Sequence, residues 1–250
     1  VLGDLFRRFC PNQNMTELCP EIEKNFRNFR RVTYRNGGML SEEALAEELQ
    51  QQNQALCIVN TRKAAQSLYA LLPEEGRFHL STLMYPAHRK RVLDKIRERL
   101  KQGLPCRVVS TSLIEAGVDV DFPAVWRELA GLDSIAQAAG RCNREGKRPA
   151  QASVVTYFQS EHPTPILQRI PIRAAQEALK KGGDPGDQAV MKRYFTALRS
   201  LIGENMDKAA VIKIVQENLL PFETVAKAFH LIDSETFSVY IPLEEGAEIC

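Results

Sequence analysis

Two arginines in the stretch DSIAQAAGRCNREGKR, residues 133–148, are the side chains of this sequence best suited to an anionic ligand. Arg141 and Arg144 are three positions apart, which places both on one face if the stretch is helical. Each guanidinium is a rigid fork that fits phosphate oxygens, and two forks on a nucleotide γ-phosphate would stabilise transition-state charge. Gln137, four positions before Arg141, could orient the attacking water. The alternative is a surface helix whose arginines are simply exposed.

A second candidate is the stretch VVSTSLIEAGVDVDFP, residues 108–123, in which a strand ends in hydroxyl residues before a short turn. Thr111 could donate a hydrogen bond to a phosphate, and Asp119 could accept hydrogen bonds from ribose hydroxyls. Gly117 would allow close approach of the backbone to a ligand. An ordinary strand-to-helix turn, with the aspartate capping the next element, is the equally open alternative.

The third candidate is CIVNTRKAA, residues 57–65, where a strand ends and a helix begins. Thr61 can cap that helix, and the free backbone amides of such an end suit an anion, including a backbone phosphate. Arg62 follows directly and adds a positive charge. Most such turns carry no ligand, so this stretch alone does not identify one.

Strands and helices alternate between about residues 41 and 160, and this order predicts how the three stretches are positioned. The alternation predicts an α/β fold with a mostly parallel sheet flanked by helices on both faces. Ligands of such sheets bind at the carboxyl ends of the strands, where Asn60, Ser110, Thr111 and the loop after Val120 would lie. The predicted strands are 55–60, 77–84, 106–112, 124–130 and 152–158. The predicted helices begin at Ser41, Thr61 and Pro86, with a fourth in the stretch 133–148.

Pro163, Pro165 and Pro171 mark a change of pattern after residue 160 and predict a linker. A smaller, mainly helical region with a strand pair is expected to follow. Its predicted helices are 191–202 and 209–220, and its predicted strands are 229–233 and 237–242. We therefore expect a leader over 1–36, a main α/β domain over 37–160, and the start of a C-terminal region over 161–250. Since residue 1 is not Met and the last residues resemble the start of a helix, we expect the natural protein to extend at both ends.

Composition excludes several other classes of function. The net charge of the 250 residues is only +2, so no overall field indicates nucleic acid. Residues 88–102 form a predicted basic helix, and we interpret its charges as the solvated face of a helix that covers the sheet. The six cysteines form no C-x-x-C pair and the four histidines are scattered, so we expect no disulfide, metal site or zinc centre. Without a signal peptide or long apolar run, the sequence indicates a cytoplasmic protein with no membrane partner.

In their order along the chain, the three stretches resemble the second RecA-like domain of a superfamily 2 helicase. The segment 60–62 resembles motif IV, the loop 111–119 resembles motif V, and 137–144, Q-x-x-G-R-x-x-R, resembles motif VI. The segment around Ser81 is similar to the strand end that meets the nucleic-acid backbone. Residues 113–146 and the tail 220–242 are very similar to the CRISPR-associated helicase-nuclease of type I systems.

This resemblance implies a role for each candidate residue. ATP would lie in a cleft between two RecA-like domains, with Arg141, Arg144 and Gln137 at the triphosphate and Gly117 and Asp119 near the nucleotide. Single-stranded DNA would contact the side of the domain that carries motifs IV and V. The four DNA-binding residues so implied are Thr61, Arg62, Ser81 and Thr111. The implied partners are single-stranded DNA, the first RecA-like domain, the nuclease domain and the CRISPR surveillance complex.

Half of that machinery does not occur in this sequence. There is no G-x-x-x-x-G-K-[ST] stretch, since 140–148 has five residues between its glycines and Arg148 after the lysine. Mg²⁺ would therefore be held by the missing first motor domain, and we expect this fragment to hydrolyse no ATP alone. Two alternatives stay open: another superfamily 2 helicase or translocase, and a non-catalytic RecA-like binding protein.

Overall fold

The computed structural model describes residues 16, 18, 21–115, 117–203, 207, 209–217, 221–230 and 239. The chain forms two compact units, residues 1–201 and 202–250. The first unit is an α/β structure around one sheet, and the described part of the second contains two short helices. In the part of the chain that is described, none of the helices is long and apolar enough to cross a membrane.

Six strands form a single sheet in the order β1-β6-β5-β2-β4-β3, and every neighbouring pair is parallel. The strands are β1 Thr33–Leu40, β2 Gln54–Ile58, β3 Arg77–Leu80, β4 Cys106–Ser110, β5 Ala124–Glu128 and β6 Val154–Ser160. The predicted α/β fold with a parallel, helix-flanked sheet is confirmed. The five predicted strands are all present, and β1 is an additional one.

Helices connect the strands and continue beyond the sheet. In the first unit they are α1 Ile22–Asn28, α2 Glu42–Gln50, α3 Arg62–Leu71, α4 Pro86–Gln102, α5 Leu132–Ala139, α6 Arg169–Lys180 and α7 Gln188–Ile202. In the second unit they are α8 Val211–Glu217 and α9 Phe222–Ala228. The strand pair predicted at 229–233 and 237–242 lies outside the described residues, apart from 229, 230 and 239.

Local sequence signals explain where the helices begin and end. The Ser41 hydroxyl accepts a hydrogen bond from the Ala44 amide at 3.2 Å, and the Thr61 hydroxyl accepts one from the Ala64 amide at 3.1 Å. Both predicted N-caps are therefore confirmed. Helix α4 ends at Gly103, whose φ of 69° lies in the left-handed region that favours glycine.

Helices cover both faces of the sheet, so both faces are buried along the central strands. Successive side chains of a strand point to opposite faces. Leu56 and Ile58 of β2 pack on one face with Ile96 of α4. Cys57 between them packs on the other face with Leu68 of α3. This two-sided burial accounts for the continuous apolar runs of the central strands.

The edge strand β1 crosses the boundary predicted at 36/37. It pairs with β6 from Thr33 to Leu40, so part of the expected leader belongs to the sheet. Its sequence TYRNGGML has two glycines and no clear apolar alternation, and its register shifts between Asn36 and Gly38. An edge strand with a bulge buries little on either face, which explains the weak sequence signal.

The first unit also continues beyond the boundary predicted at 160/161. Helices α6 and α7 pack with α5 around a third apolar core, in which Leu132, Ala174 and Tyr194 are buried. The Tyr194 hydroxyl donates a hydrogen bond to Asp133 Oδ1 at 2.6 Å. Residues up to 201 therefore support the α5 helix that leads into motif VI.

Candidate functional site

The three predicted stretches leave neighbouring strands at the same edge of the sheet. Strand β2 lies between β5 and β4, and Ile58 at its end is in register with Ser110 of β4 and Arg127 of β5. Motif IV follows β2, motif V follows β4, and α5 with motif VI follows β5. The parallel order of the central strands therefore brings the motifs together at their carboxyl ends.

Arg141 and Arg144 both lie beyond the end of α5. The helix ends at Ala139 with Gly140 as its C-cap, so the prediction that both arginines share one helix face is wrong. The physical reason is that the chain turns after Gly140, and Cys142 then forms a parallel β-bridge with Phe122.

The Arg141 side chain joins motif VI to motif V from inside the fold, since the residue is only 7% exposed. Its Nε donates to the carbonyl of Ile114 at 2.9 Å, and its Nη2 donates to the carbonyl of Glu115 at 2.6 Å. Its Nη1 makes only a long contact of 3.5 Å with the Gly140 carbonyl. That nitrogen keeps hydrogen-bonding capacity for another acceptor.

Arg144 makes a second link between the same segments, at the surface. Its Nε lies 2.8 Å from Asp119 Oδ1, and the two side chains are 42% and 78% exposed. The Arg144 amide donates to Asp121 Oδ1 at 2.8 Å. An ion pair this exposed is worth about 1 kcal/mol or less, so a more highly charged ligand could displace it.

The two guanidinium groups influence each other electrostatically. Burial lowers the pKa of Arg141, and the positive charge of Arg144 lowers it further, whereas Asp119 and Glu115 oppose this. An arginine stays protonated in proteins despite such a shift. The positive charges of Arg141 and Arg144 thus act on each other at the junction of motifs V and VI, where Asp119 and Glu115 partly balance them.

Gly117 and Gln137 are both exposed beside this junction. Gly117 has a φ of 70°, and a Cβ atom added to it would meet no atom within 4 Å. Its backbone conformation, rather than close packing inside the chain, therefore accounts for the glycine. Gln137 occupies the last turn of α5 and presents its amide to solvent.

The four residues predicted to bind DNA differ in exposure. Arg62 is exposed at the start of α3, where the Thr61 hydroxyl is used as the cap. Ser81 is 1% exposed, and Thr111 is 8% exposed with its amide bonded to the Leu80 carbonyl. Of these four side chains, Arg62 alone presents a charge at the surface, and the buried side chains of Ser81 and Thr111 are not available to a ligand in this conformation.

Sequence reasoning missed a buried arginine at this edge of the sheet. Arg127 of β5 is 1% exposed, and its Nε lies 2.8 Å from Glu115 Oε1 in motif V. Its Nη1 donates to Asn60 Oδ1 in motif IV and to the Glu128 carbonyl, both at 2.7 Å. A charged residue inside the apolar strand AVWRELA was the signal that could have found it.

A metal centre is not formed by the described residues alone. Among residues 21–115, 117–203 and the shorter described segments, no group of three or more His, Cys, Asp or Glu side chains could hold an ion. Asp119 and Asp121 are paired with Arg144 and Arg148. No step is therefore assigned to a metal held by these residues.

Comparison with known proteins relates this site to a family. Residues 51–147 match the family model described as CRISPR-associated nuclease/helicase Cas3, C-terminal. The chain is 41% identical over 80 residues to a CRISPR-associated nuclease/helicase Cas3 of Haloferax volcanii, which is 30% of this chain and 8% of that protein. It is 24% identical over 212 residues to the Cas3 of Methanothermobacter thermautotrophicus, covering 83% of this chain and 23% of the relative.

Solved structures agree on the fold. A crystal structure of T. fusca Cas3-ADP is similar over 79% of this chain and 27% of that one, with a TM-score of 0.53 and 18% identity. A crystal structure of a CRISPR-associated protein is similar over 72% of this chain and 26% of that one, with a TM-score of 0.51 and 20% identity. The chain thus spans about a quarter or less of the length of these relatives. The resemblance predicted from the sequence, to the C-terminal part of this helicase-nuclease family, is confirmed.

Proposed function

We propose that the chain is the second motor domain of an ATP-dependent single-stranded-DNA translocase, because residues 51–147 match the C-terminal family model of Cas3. In the cytoplasm, the natural polypeptide would unwind and degrade invading DNA delivered by a CRISPR surveillance complex. The nuclease domain and the first RecA-like domain would be its covalent partners. The similarity to named Cas3 nuclease/helicases supports this assignment.

One observation carries the catalytic part of the proposal: two guanidinium groups meet where motifs V and VI join. Arg141 is buried with one nitrogen still available, and the Arg144 guanidinium pairs with the exposed carboxylate of Asp119. A triphosphate carries more negative charge than one carboxylate and offers bidentate acceptors to a guanidinium fork. ATP is therefore a ligand that this junction fits.

Binding of ATP would exchange the partner of Arg144. Arg144 would leave Asp119 and bind the γ-phosphate. Arg141 Nη1 would bind the same phosphate. The freed Asp119 would accept hydrogen bonds from the ribose, with the exposed Gly117 backbone beside it. Exposed Gln137 would orient the attacking water. Such groups act by stabilising charge that develops on the transferred phosphoryl group.

The DNA side of the domain would lie along motifs IV and V. The free amides at the start of α3, capped by Thr61, and the exposed Arg62 would hold backbone phosphates. Ser81 and Thr111 are buried, so they would contribute through backbone groups or after a shift of their loops. Closure of two motor domains on ATP and reopening after hydrolysis would move these contacts along the strand.

The P-loop and the residues that hold Mg²⁺ would belong to the first RecA-like domain. A bound Mg²⁺ would supply charge neutralisation of the triphosphate, and the residues of this chain would position the triphosphate from the opposite side. The 250-residue chain alone is therefore expected to hydrolyse no ATP. Turnover by the pure chain that depends on Arg141 would contradict this expectation.

The test is ATP hydrolysis by the natural polypeptide that carries these residues, with and without single-stranded DNA. Arg144→Ala and Arg141→Lys remove a donor fork at the junction, and each should lower kcat by roughly a thousandfold or more. Nucleotide should still bind, because other groups hold it. Arg173→Ala serves as the matched control, since Arg173 is exposed on α6 and pairs with Glu177 one turn along the same helix.

Three outcomes separate the alternatives. Loss of DNA-stimulated hydrolysis in both site variants but not in the control supports the catalytic assignment. Hydrolysis at the wild-type rate in both variants would leave the arginines as structural groups. Absence of ATP hydrolysis in the wild-type natural polypeptide would instead favour a non-catalytic RecA-like binding protein.

A further inference from the structure

A buried polar network runs beneath the candidate site and is centred on Arg127. The Arg127 guanidinium contacts Glu115 Oε1 at 2.8 Å on one side and Asn60 Oδ1 at 2.7 Å on the other. Asn60 is itself fixed, because its backbone N–H donates to Glu128 Oε2 at 2.6 Å and its side-chain Nδ2 donates to the Leu129 carbonyl at 2.9 Å. Asn60 is therefore held through both its backbone and its side chain, whereas Arg127 Nε and Glu115 Oε1 meet as an ion pair that is not aligned as a hydrogen bond.

The network joins all three motifs through one residue that belongs to none of them. Asn60 is in motif IV and Glu115 is in motif V. The carbonyl of Glu115 in turn accepts a hydrogen bond of 2.6 Å from Arg141 Nη2 in motif VI. The contacts thus form one continuous path from Asn60 through Arg127 and Glu115 to Arg141.

Stability alone gives a poor reason for this ion pair. Both side chains are almost fully buried, at 1% and 6% exposure, and the cost of removing two charges from water offsets most of their attraction. Apolar residues of similar volume at such positions are often as stabilising or more so. What the Arg127 side chain provides and an apolar residue cannot is contact with Asn60 in motif IV and with Glu115 in motif V at once.

We infer that Arg127, with Glu115, is a positioning residue that couples the DNA-contacting segment at Asn60 to the nucleotide-contacting Arg141. This inference rests on the proposed function and adds a residue outside its motifs. The coupling is mechanical: the guanidinium plane has discrete hydrogen-bonding arrangements, and a change at one end selects the arrangement at the other. Arg127 touches neither ligand and acts only through its partners.

The experiment uses the natural polypeptide with the double variant Glu115→Gln and Arg127→Met. This pair removes the network without leaving a buried charge unpaired, so the fold is expected to persist. Arg107→Met is the matched control, because Arg107 lies on neighbouring β4 and donates to the carbonyls of Leu49 and Gln50, away from the motifs. Arg127→Lys is a second variant that keeps the charge but loses the fork that reaches both Asn60 and Glu115.

The readout is the ratio of kcat for ATP with and without single-stranded DNA, together with the Kd values of DNA and nucleotide. The double variant should lower this stimulation ratio at least tenfold, with each Kd within about threefold of wild type. Arg127→Lys should give an intermediate ratio, and Arg107→Met should leave it unchanged. A structural role would lower kcat with and without DNA alike and leave the ratio unchanged.

Each outcome decides the inference. A wild-type stimulation ratio in the folded double variant, or a wild-type ratio in Arg127→Lys if the double variant does not fold, would overturn the coupling and leave the proposed function standing. Wild-type polypeptide that hydrolyses ATP without any response to DNA would overturn the coupling together with the DNA-dependent part of the proposed function. The wild-type measurement thus distinguishes the two failures.

Discussion

Two ion pairs of the same length hold the motif V loop to its neighbours, one at the surface and one inside the fold. Asp119 and Arg144 are 2.8 Å apart with side chains 78% and 42% exposed, and Glu115 and Arg127 are 2.8 Å apart with almost none of either side chain exposed. Water competes for the first pair, so it can be exchanged at little cost. The second pair has no such competitor and cannot lose one partner without leaving a charge buried. Equal distance thus corresponds to unequal energies: the surface pair can be broken at little cost, and the inner pair cannot.

The largest expected effect concerns chemical access to the buried side of the junction. Cys142 follows Arg141, and burial raises the pKa of its thiol from the usual 9.0 to about 12. At pH 8 this change lowers the thiolate fraction roughly a thousandfold. Alkylation of Cys142, followed by peptide mass spectrometry, should be slower than that of a free thiol by at least this factor. Asp119→Asn should leave the Cys142 rate unchanged, and rapid labelling in the wild-type chain would contradict the buried placement of the junction.

Breaking the buried pair from one side should cost far more stability than breaking the exposed pair. Arg127→Met leaves the Glu115 carboxylate without its partner, and we expect the free energy of unfolding to fall by about 3–5 kcal/mol. Urea titration of the chain at neutral pH measures this loss. Restoring neutrality with Glu115→Gln in the same chain should recover most of it. A loss below about 1 kcal/mol in the single variant would show that the two pairs are energetically alike.

The pH dependence of stability sharpens the comparison further. Burial raises the pKa of Glu115 above its usual range, although Arg127 opposes this. A carboxyl whose pKa is raised in the folded state stabilises the fold below its unfolded pKa, and that stabilisation is lost as pH rises through the folded pKa. The double variant Glu115→Gln and Arg127→Met lacks this loss. The difference in free energy of unfolding, variant minus wild type, should therefore increase with pH. The increase is about 1.4 kcal/mol for each pKa unit by which folding raises the pKa of Glu115. Urea titrations between pH 4 and 8 measure it, and a constant difference would argue against the raised pKa.

The smallest effect is expected at the exposed pair. Asp119→Asn should change the free energy of unfolding by about 1 kcal/mol or less, and salt should reduce the difference because exposed charges are screened. Urea titrations at low and high salt test this. Arg144→Gln is the matched variant from the other side of the pair and should behave in the same way. A loss of several kcal/mol from either substitution would mean that the surface pair is a fixed structural contact.

The sequence by itself determined the central strands, the helix caps and the family resemblance. Ser41, Thr61 and Gly103 act through contacts within a few residues, so their effect can be deduced from neighbours in the chain. The apolar runs of β2 and β4 predicted buried strands because a parallel sheet covered on both faces needs apolar side chains on both. The order of the motifs identified the carboxyl ends of the strands as the place of the candidate site.

Tertiary structure alone decided where the charged groups point. Arg141 turns inward because carbonyls 26 and 27 residues earlier in the chain accept its hydrogen bonds. Arg127 is buried because Asn60 lies 67 residues before it and supplies a partner. Edge strand β1 forms only because β6, more than a hundred residues away, provides its hydrogen bonds. In each case the deciding partner is distant in sequence, and the energy of a polar group depends on partners and burial that local pattern does not contain.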